Sequence, residues 1–166
     1  MEDSWILPPL ISSHCLTNPS GFALELYCTG CFFHCKNCHN RELWTYDPAH
    51  LVSVSEFVDS ALSYLTNPLI VELQIMGGEP LFSDYRILFL ADALRLIKEK
   101  TEKPIILFTG YDLDDLDLDS DLFLFVDFLK TGKYIENLPE VRVNETFVLA
   151  SSNQHIYKLH PFKKIV

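Results

Sequence analysis

The chain has 166 residues, of which 48% are hydrophobic and 22% are charged, and its formal net charge is −10. This length predicts a single domain, residues 1–166, with one substantial core, and the composition is typical of a globular protein. The acidic balance argues against nucleic acid as a partner, because phosphate neutralisation supplies most non-specific affinity for DNA or RNA. No apolar run is long enough to cross a bilayer. The acidic start lacks the basic residues of a signal peptide, so we expect a cytoplasmic protein with reduced cysteines.

Apolar runs and amphipathic patterns alternate along the chain, which predicts βαβ units and an α/β fold with a mostly parallel sheet. Ser53 and Glu56 have the spacing of a capping box, which predicts a helix that ends near Leu65. A second helix is predicted over about Asp84–Lys100. The acid-rich segment Asp112–Asp121 is predicted to be the solvated first turn of a helix, where the helix dipole favours carboxylates. Five strands are predicted, at Phe22–Tyr27, Ile70–Met76, Ile105–Thr109, Phe123–Phe128 and Thr146–Leu149.

Three short motifs follow the first three predicted strands. The cysteine segment Cys31–Cys38 follows the first strand, Gly77-Gly78-Glu79 follows the second, and Thr109-Gly110-Tyr111 follows the third. Ligands of parallel α/β sheets collect at the carboxyl ends of the strands, so we expect the three motifs to converge at one edge. Two glycines followed by Glu and Pro would also fit an ordinary turn from a strand to a helix.

The cysteine spacing indicates a metal site. Cys31, Cys35 and Cys38 lie four and then three residues apart, and iron–sulfur clusters are held by cysteine thiolates. Three thiolates would leave one iron of a cubane without a protein ligand, open to chemistry. The alternative is a four-thiolate zinc site that includes Cys28, although structural zinc motifs usually separate their cysteine pairs more widely. In the iron–sulfur interpretation, Cys28 and Cys15 are predicted to be buried core residues.

The cysteine loop and the later Gly-Gly-Glu-Pro resemble those of the radical S-adenosylmethionine enzymes. Over residues 14–158 the chain resembles more narrowly the activating proteins of anaerobic ribonucleotide reductase. Thr131 and Ala150 depart from that family's pattern, which usually has Asp and Gly there, and this bears on partner specificity. Five further segments carry the resemblance: Asn18-Pro-Ser-Gly21, Cys38-His39-Asn40 with Trp44, Phe108-Thr109-Gly110-Tyr111, Gly132-Lys133-Tyr134 and Ser151-Ser152-Asn153-Gln154.

The resemblance implies a short, incomplete (β/α) barrel of the radical S-adenosylmethionine type. It implies that a 4Fe-4S cluster and S-adenosylmethionine are the cofactors. It implies that Gly77 and Gly78 meet the cofactor's amino group through their backbone, that Glu79 assists, and that Asn37 and His39 lie beside the adenosyl moiety. Thr109 is a further candidate at this site. We assign no catalytic acid or base, because the cofactor carries the radical chemistry.

The implied reaction begins with an external one-electron donor, such as flavodoxin or ferredoxin. S-adenosylmethionine is cleaved reductively to methionine and a 5′-deoxyadenosyl radical, which removes hydrogen from a glycine of the reductase's catalytic subunit. Two alternatives remain. One is a small radical enzyme acting on a metabolite, such as the deazaguanine-forming synthases with a similar Gly-Gly-Glu-Pro; the other is a non-enzymatic zinc-binding module.

Overall fold

The computed structural model describes residues 1–166 as a mixed α/β fold with two helices and one large sheet. The helices are α1 (Val54–Leu65) and α2 (Asp84–Lys98). No helix has the length and apolar character needed to span a membrane. The strands are β1 (Glu2–Ser12), β2 (Phe22–Cys28), β3 (Leu51–Ser53), β4 (Ile70–Gly77), β5 (Ile105–Phe108), β6 (Phe128–Thr131), β7 (Val141–Arg142), β8 (Val148–Leu149), β9 (His155–Leu159) and β10 (Phe162–Lys164).

The eight-stranded sheet has the order β10-β9-β6-β5-β4-β2-β1-β3. Its centre is parallel, since β2 pairs with β4, β4 with β5 and β5 with β6 in the same direction. Antiparallel strands flank this centre on both sides. A separate two-stranded sheet joins β7 and β8. The predicted α/β fold is confirmed, and the predicted parallel pairing holds for the centre of the sheet, whereas the sheet as a whole is mixed. Because β2, β4 and β5 are parallel, the strands that precede the three motifs all end at the same edge.

The two faces of the sheet differ in character because successive side chains of a strand point in opposite directions. On one face, Leu24 and Leu26 of β2 and Leu73 and Ile75 of β4 join the core with both helices. On the other face the intervening residues are largely polar, and they include Glu72 and Gln74, both fully buried. The apolar face anchors the scaffold, which leaves the polar face to line a cavity.

Both predicted helices form. Ser53 and Glu56 make the capping box, with the Glu56 amide donating to Ser53 Oγ at 3.2 Å and the Ser53 amide donating to Glu56 Oε2 at 2.7 Å. Phe57 and Ala61 of α1 are fully buried against the sheet, as is Phe89 of α2. The helices therefore cover the sheet face opposite the cavity.

Three sequence predictions are wrong. The acid-rich segment forms only a short 3-10 turn at Leu113–Asp115, consistent with the tendency of Asp side chains to compete for backbone hydrogen bonds. A second 3-10 turn, Asp121–Phe125, replaces most of the predicted fourth strand, and β6 begins only at Phe128. The predicted fifth strand shrinks to the two residues of β8, outside the large sheet.

Candidate functional site

A cavity of about 330 Å³ lies at the carboxyl ends of the parallel strands. The structure brings the motifs of three successive loops to it, as the strand order predicts. The sequence-predicted residues that line it are Cys31, Cys35, Cys38, His39, Gly77, Gly78, Glu79 and Thr109.

The cysteine loop is held in an unusual backbone conformation. His34 and Asn37 have φ values of 46° and 56°, in the left-handed region that non-glycine residues rarely occupy. The His34 ring stacks on Trp44 with a centroid separation of 4.5 Å, and the Cys31 amide donates to the Trp44 carbonyl at 2.9 Å. Such backbone strain costs on the order of 1–3 kcal/mol per residue and persists only where surrounding contacts over-determine it. The contact with Trp44 supplies that constraint for His34.

Backbone amides point at the sulfurs of this loop. The Asn40 amide donates to Cys38 Sγ at 3.4 Å. Burial raises the pKa of the Cys31 thiol, whereas the backbone amides of Phe33 and His34 oppose that shift by favouring the thiolate. Hydrogen bonds to sulfur are also a means by which proteins tune iron–sulfur clusters. The donor set and its amide environment therefore fit three cluster ligands.

The other two cysteines lie elsewhere. Cys28 is fully buried in the core between sheet and helices, and Cys15 is fully buried with its thiol directed to the Gly21 carbonyl at 3.3 Å. Both are core residues, as predicted, and neither lines the cavity. The four-thiolate zinc arrangement needs Cys28 beside Cys31, and the structure does not bring Cys28 to the site. No group of three or more His, Cys, Asp or Glu side chains is gathered closely enough to hold a metal ion; a four-iron cluster is larger than an ion and holds its thiolates further apart.

The glycine turn is closely docked against the start of the cysteine loop. The Gly78 amide donates to the Cys28 carbonyl and the Glu79 amide to the Gly30 carbonyl, both at 2.8 Å. A side chain on Gly78 would place its Cβ 2.3 Å from the Gly30 oxygen. The positive φ of this turn belongs to Gly77, at 116°. Glycine is required at position 78 because the backbone there packs closely against Gly30 of the same chain. A substitution of Gly78 would therefore displace the cysteine loop, apart from any effect on a bound ligand.

Glu79 links two strand-end loops. Its carboxylate accepts hydrogen bonds from the Leu81 amide, the Thr109 hydroxyl and the Gly110 amide, each at 2.8 Å. It is 1% exposed, and burial raises its pKa while these three donors oppose the shift. Thr109 is therefore oriented by Glu79. The carboxylate fixes the geometry of the cavity wall, whatever ligand it also meets.

Asn37 and His39 are placed differently from each other. His39 is exposed and lines the cavity, with its ring centroid 6.0 Å from that of Tyr134. Asn37 is exposed and does not line it; its side chain accepts from Arg41 Nη2 at 2.8 Å and donates to Glu136. Asn37 thus ties the end of the cysteine loop to two neighbouring segments.

The structure adds cavity residues that sequence reasoning missed. Lys130 of β6 lines the cavity, and its Nζ donates to the Gly132 carbonyl at 3.0 Å. Glu25 and Tyr27 of β2 also line it, joined by a hydrogen bond of 2.8 Å from the Tyr27 hydroxyl. Because these two residues alternate with apolar residues along β2, the sequence pattern could have predicted that both lie on the face opposite the core. Lys130 fell outside the predicted fourth strand, so its orientation could not be derived.

The model of one protein family matches this chain. The family is described as a 4Fe-4S single cluster domain, and the match spans residues 17–157, which include every cavity-lining residue except His14. The chain therefore belongs to the 4Fe-4S single cluster domain family.

The curated relatives narrow this assignment. The chain is 32% identical over 123 residues to the anaerobic ribonucleoside-triphosphate reductase-activating protein of Enterobacteria phage T4, covering 74% of this chain and 77% of the relative. It is 30% identical over 124 residues to the protein of that name from Vibrio cholerae, covering 73% and 79%. A third, from Salmonella typhi, is 26% identical over 147 residues, covering 87% and 93%. Within its domain family, the chain belongs with the anaerobic ribonucleoside-triphosphate reductase-activating proteins.

Proposed function

We propose that this protein activates an anaerobic ribonucleotide reductase by reductive cleavage of S-adenosylmethionine at a 4Fe-4S cluster, which generates a glycyl radical on the reductase. The observation that carries the proposal is the meeting of three thiols from one loop with the Gly77–Glu79 turn and Thr109 around a single cavity. The relatives named as activating proteins of this reductase support the same conclusion. When bound, the cluster and S-adenosylmethionine supply the electron transfer and the 5′-deoxyadenosyl radical.

The chain's own residues have separable roles in this proposal. Cys31, Cys35 and Cys38 hold the cluster as thiolates, and the amides directed at Cys31 and Cys38 stabilise those thiolates. The backbone of Gly77 and Gly78 forms the wall that receives the amino group of S-adenosylmethionine.

Further residues complete the site. Glu79 and Thr109 keep the wall in register by joining the ends of β4 and β5. His39 lies at the adenosyl side. Asn37 supports the loop through Arg41 and Glu136.

The fold has a place in the proposal as well. We interpret the parallel centre β2-β4-β5-β6 as a shortened (β/α) barrel of the radical S-adenosylmethionine type, within one domain of residues 1–166. The polar face of that sheet lines the cavity, and the helices cover the other face. The electron comes from an external one-electron donor such as flavodoxin or ferredoxin, and the substrate of the radical is the catalytic subunit of the reductase.

Anaerobic reconstitution with iron and sulfide tests the ligand set. Cys31→Ala, Cys35→Ala and Cys38→Ala should each lose the cluster, measured as iron, acid-labile sulfide and charge-transfer absorption. Cys28→Ala and Cys15→Ala are matched controls, since both thiols are buried away from the cavity, and they should retain it. A loss with Cys28→Ala as complete as with Cys31→Ala, in a variant that still folds, would favour a four-thiolate site.

The reconstituted protein then tests the chemistry. With S-adenosylmethionine and dithionite it should release methionine and 5′-deoxyadenosine in equal amounts. Cleavage that produces no radical on the cognate reductase would instead favour an enzyme that acts on a metabolite.

A further inference from the structure

Lys130 presents an amine to the cavity. Its neighbour Leu129 belongs to the core on the other face of the sheet, and the alternation of side chains along β6 turns Lys130 to the cavity side. Its Nζ hydrogen-bonds to one carbonyl oxygen, that of Gly132. An ammonium has three N–H donors, so this contact leaves two of them without a protein acceptor. The function proposed above uses no cation from the protein, so this amine is unassigned.

Glu79 and Cys35 line the same cavity as Lys130. Burial lowers the pKa of Lys130 to about 8, while the charges of Glu79 and Cys35 act in the opposite direction. The attraction to Lys130 also opposes the rise that burial causes in the pKa of Glu79. Lys130 is therefore a partly desolvated ammonium, mainly protonated at neutral pH, that lines the same cavity as the three cysteines of the loop.

A purely structural role does not account for this position. The Glu79 carboxylate already accepts three hydrogen bonds, so it does not depend on Lys130 for its partners. A lysine in a half-buried strand position also carries a desolvation cost that an apolar side chain would avoid. The positive charge of Lys130 therefore acts mainly on negative charge that forms in the cavity.

We propose, on the basis of the proposed function, that Lys130 raises the reduction potential of the cluster held by Cys31, Cys35 and Cys38. Reduction transfers one electron from an external one-electron donor to the cluster, with no bond formed or broken, and adds one negative charge to it. A fixed positive charge nearby stabilises that reduced form. The interaction is screened less in a partly buried cavity than in water. Lys130 therefore favours the electron-transfer step through its positive charge.

A redox titration without S-adenosylmethionine tests the proposal, so that no turnover enters the readout. The reconstituted wild type, Lys130→Met, Lys130→Gln and Lys130→Arg are titrated while the visible absorption and the paramagnetic signal of the reduced cluster are followed. The two neutral variants should reduce the equilibrium constant for reduction roughly tenfold, which is about 59 mV for one electron. Lys130→Arg should stay within threefold of the wild type.

Lys36→Met is the matched control. Lys36 is next to Cys35 in the chain, but its side chain is 80% exposed and paired with Glu136 at 3.1 Å, so solvent screens its charge. We expect its variant to change the equilibrium constant less than threefold. An equal shift in Lys36→Met would mean that any nearby surface charge suffices, and would overturn the assignment to Lys130.

The remaining outcomes are also decisive. Unchanged potentials in Lys130→Met and Lys130→Gln, at full iron and sulfide content, overturn the proposal. Failure of both neutral variants to assemble a cluster, when Lys130→Arg succeeds, would give Lys130 a role in assembly and would also overturn it. Failure of the wild type to assemble a cluster would instead contradict the proposed function.

Discussion

Glu79 should contribute to stability as well as to the site, because it bridges the loops after β4 and β5. In Glu79→Ala, the donors on Leu81, Thr109 and Gly110 lose their acceptor. A buried donor left without a partner costs about 1–3 kcal/mol. Removing the buried carboxylate also relieves the burial cost that raises its pKa, which offsets part of that loss. We therefore expect the free energy of unfolding to fall by about 3–5 kcal/mol, the range for breaking a buried charged network.

Urea denaturation of the reduced apoprotein at pH 7, followed by circular dichroism, measures this change. Glu140→Ala is the control, since Glu140 is exposed, and it should change stability by no more than about 0.5 kcal/mol. A loss below about 1 kcal/mol in Glu79→Ala would refute the reasoning, because it would mean that water replaces the carboxylate without cost.

The difference in unfolding free energy between the wild type and Glu79→Ala should depend on pH, and the sign of that dependence follows from the pKa of Glu79. The pKa of Glu79 is raised above its ordinary value of 4.5, so the folded state binds this proton more strongly than the unfolded chain does. The stability linked to that proton is fully present below the unfolded-state pKa and is lost as the pH rises through the folded-state pKa. The deficit of Glu79→Ala relative to the wild type should therefore be larger at pH 5 than at pH 7. A deficit that shrinks on acidification would contradict the raised pKa.

Two further outcomes are expected. In the apoprotein at pH 8, iodoacetamide should modify Cys31, Cys35 and Cys38, whereas Cys15 and Cys28 should react only after denaturation. Cys15 and Cys28 are fully buried, and burial raises the pKa of their thiols to about 11 and about 12. Peptide mass spectrometry distinguishes the five sites, and labelling of Cys28 before denaturation would refute its placement in the core. Gly77→Ala should lower the free energy of unfolding by about 2 kcal/mol or more. The φ of 116° at this position disfavours a side chain, and the new Cβ would lie 2.5 Å from the Cys28 amide nitrogen. An unchanged urea midpoint would contradict that geometry.

The sequence predicted the site well where residue type and strand order carry the information. Cysteine spacing and the positions of Gly77-Gly78-Glu79 and Thr109 after apolar strands were enough to place these groups around one cavity. The strands β2, β4 and β5 were recognisable because each places apolar residues, such as Leu24, Leu73 and Leu107, on the face of the sheet that joins the core. The capping box of α1 was likewise a local signal.

The missed features depend on contacts between distant segments. No strand was predicted before Phe22, because Pro8 and Pro9 interrupt the pattern of β1; the structure accommodates them where the register with β2 shifts between Ile6 and Leu10. The hydrogen bonds of Glu79 and the clash that a side chain on Gly78 would make with Gly30 arise only after the loops pack together. Neither composition nor hydrophobic periodicity predicts contacts between segments that are distant in the sequence.

The glycyl radical is the most direct measure of what this protein does. The reconstituted protein is mixed anaerobically with its cognate reductase, S-adenosylmethionine and a reductant, and electron paramagnetic resonance is recorded; because Thr131 and Ala150 depart from the family's pattern, a reductase from another source is not an adequate substitute. We expect a glycine-centred doublet on the reductase, with 5′-deoxyadenosine accumulating in proportion to it, and neither signal with Cys31→Ala. Cofactor cleavage with no radical on the cognate reductase would contradict the account.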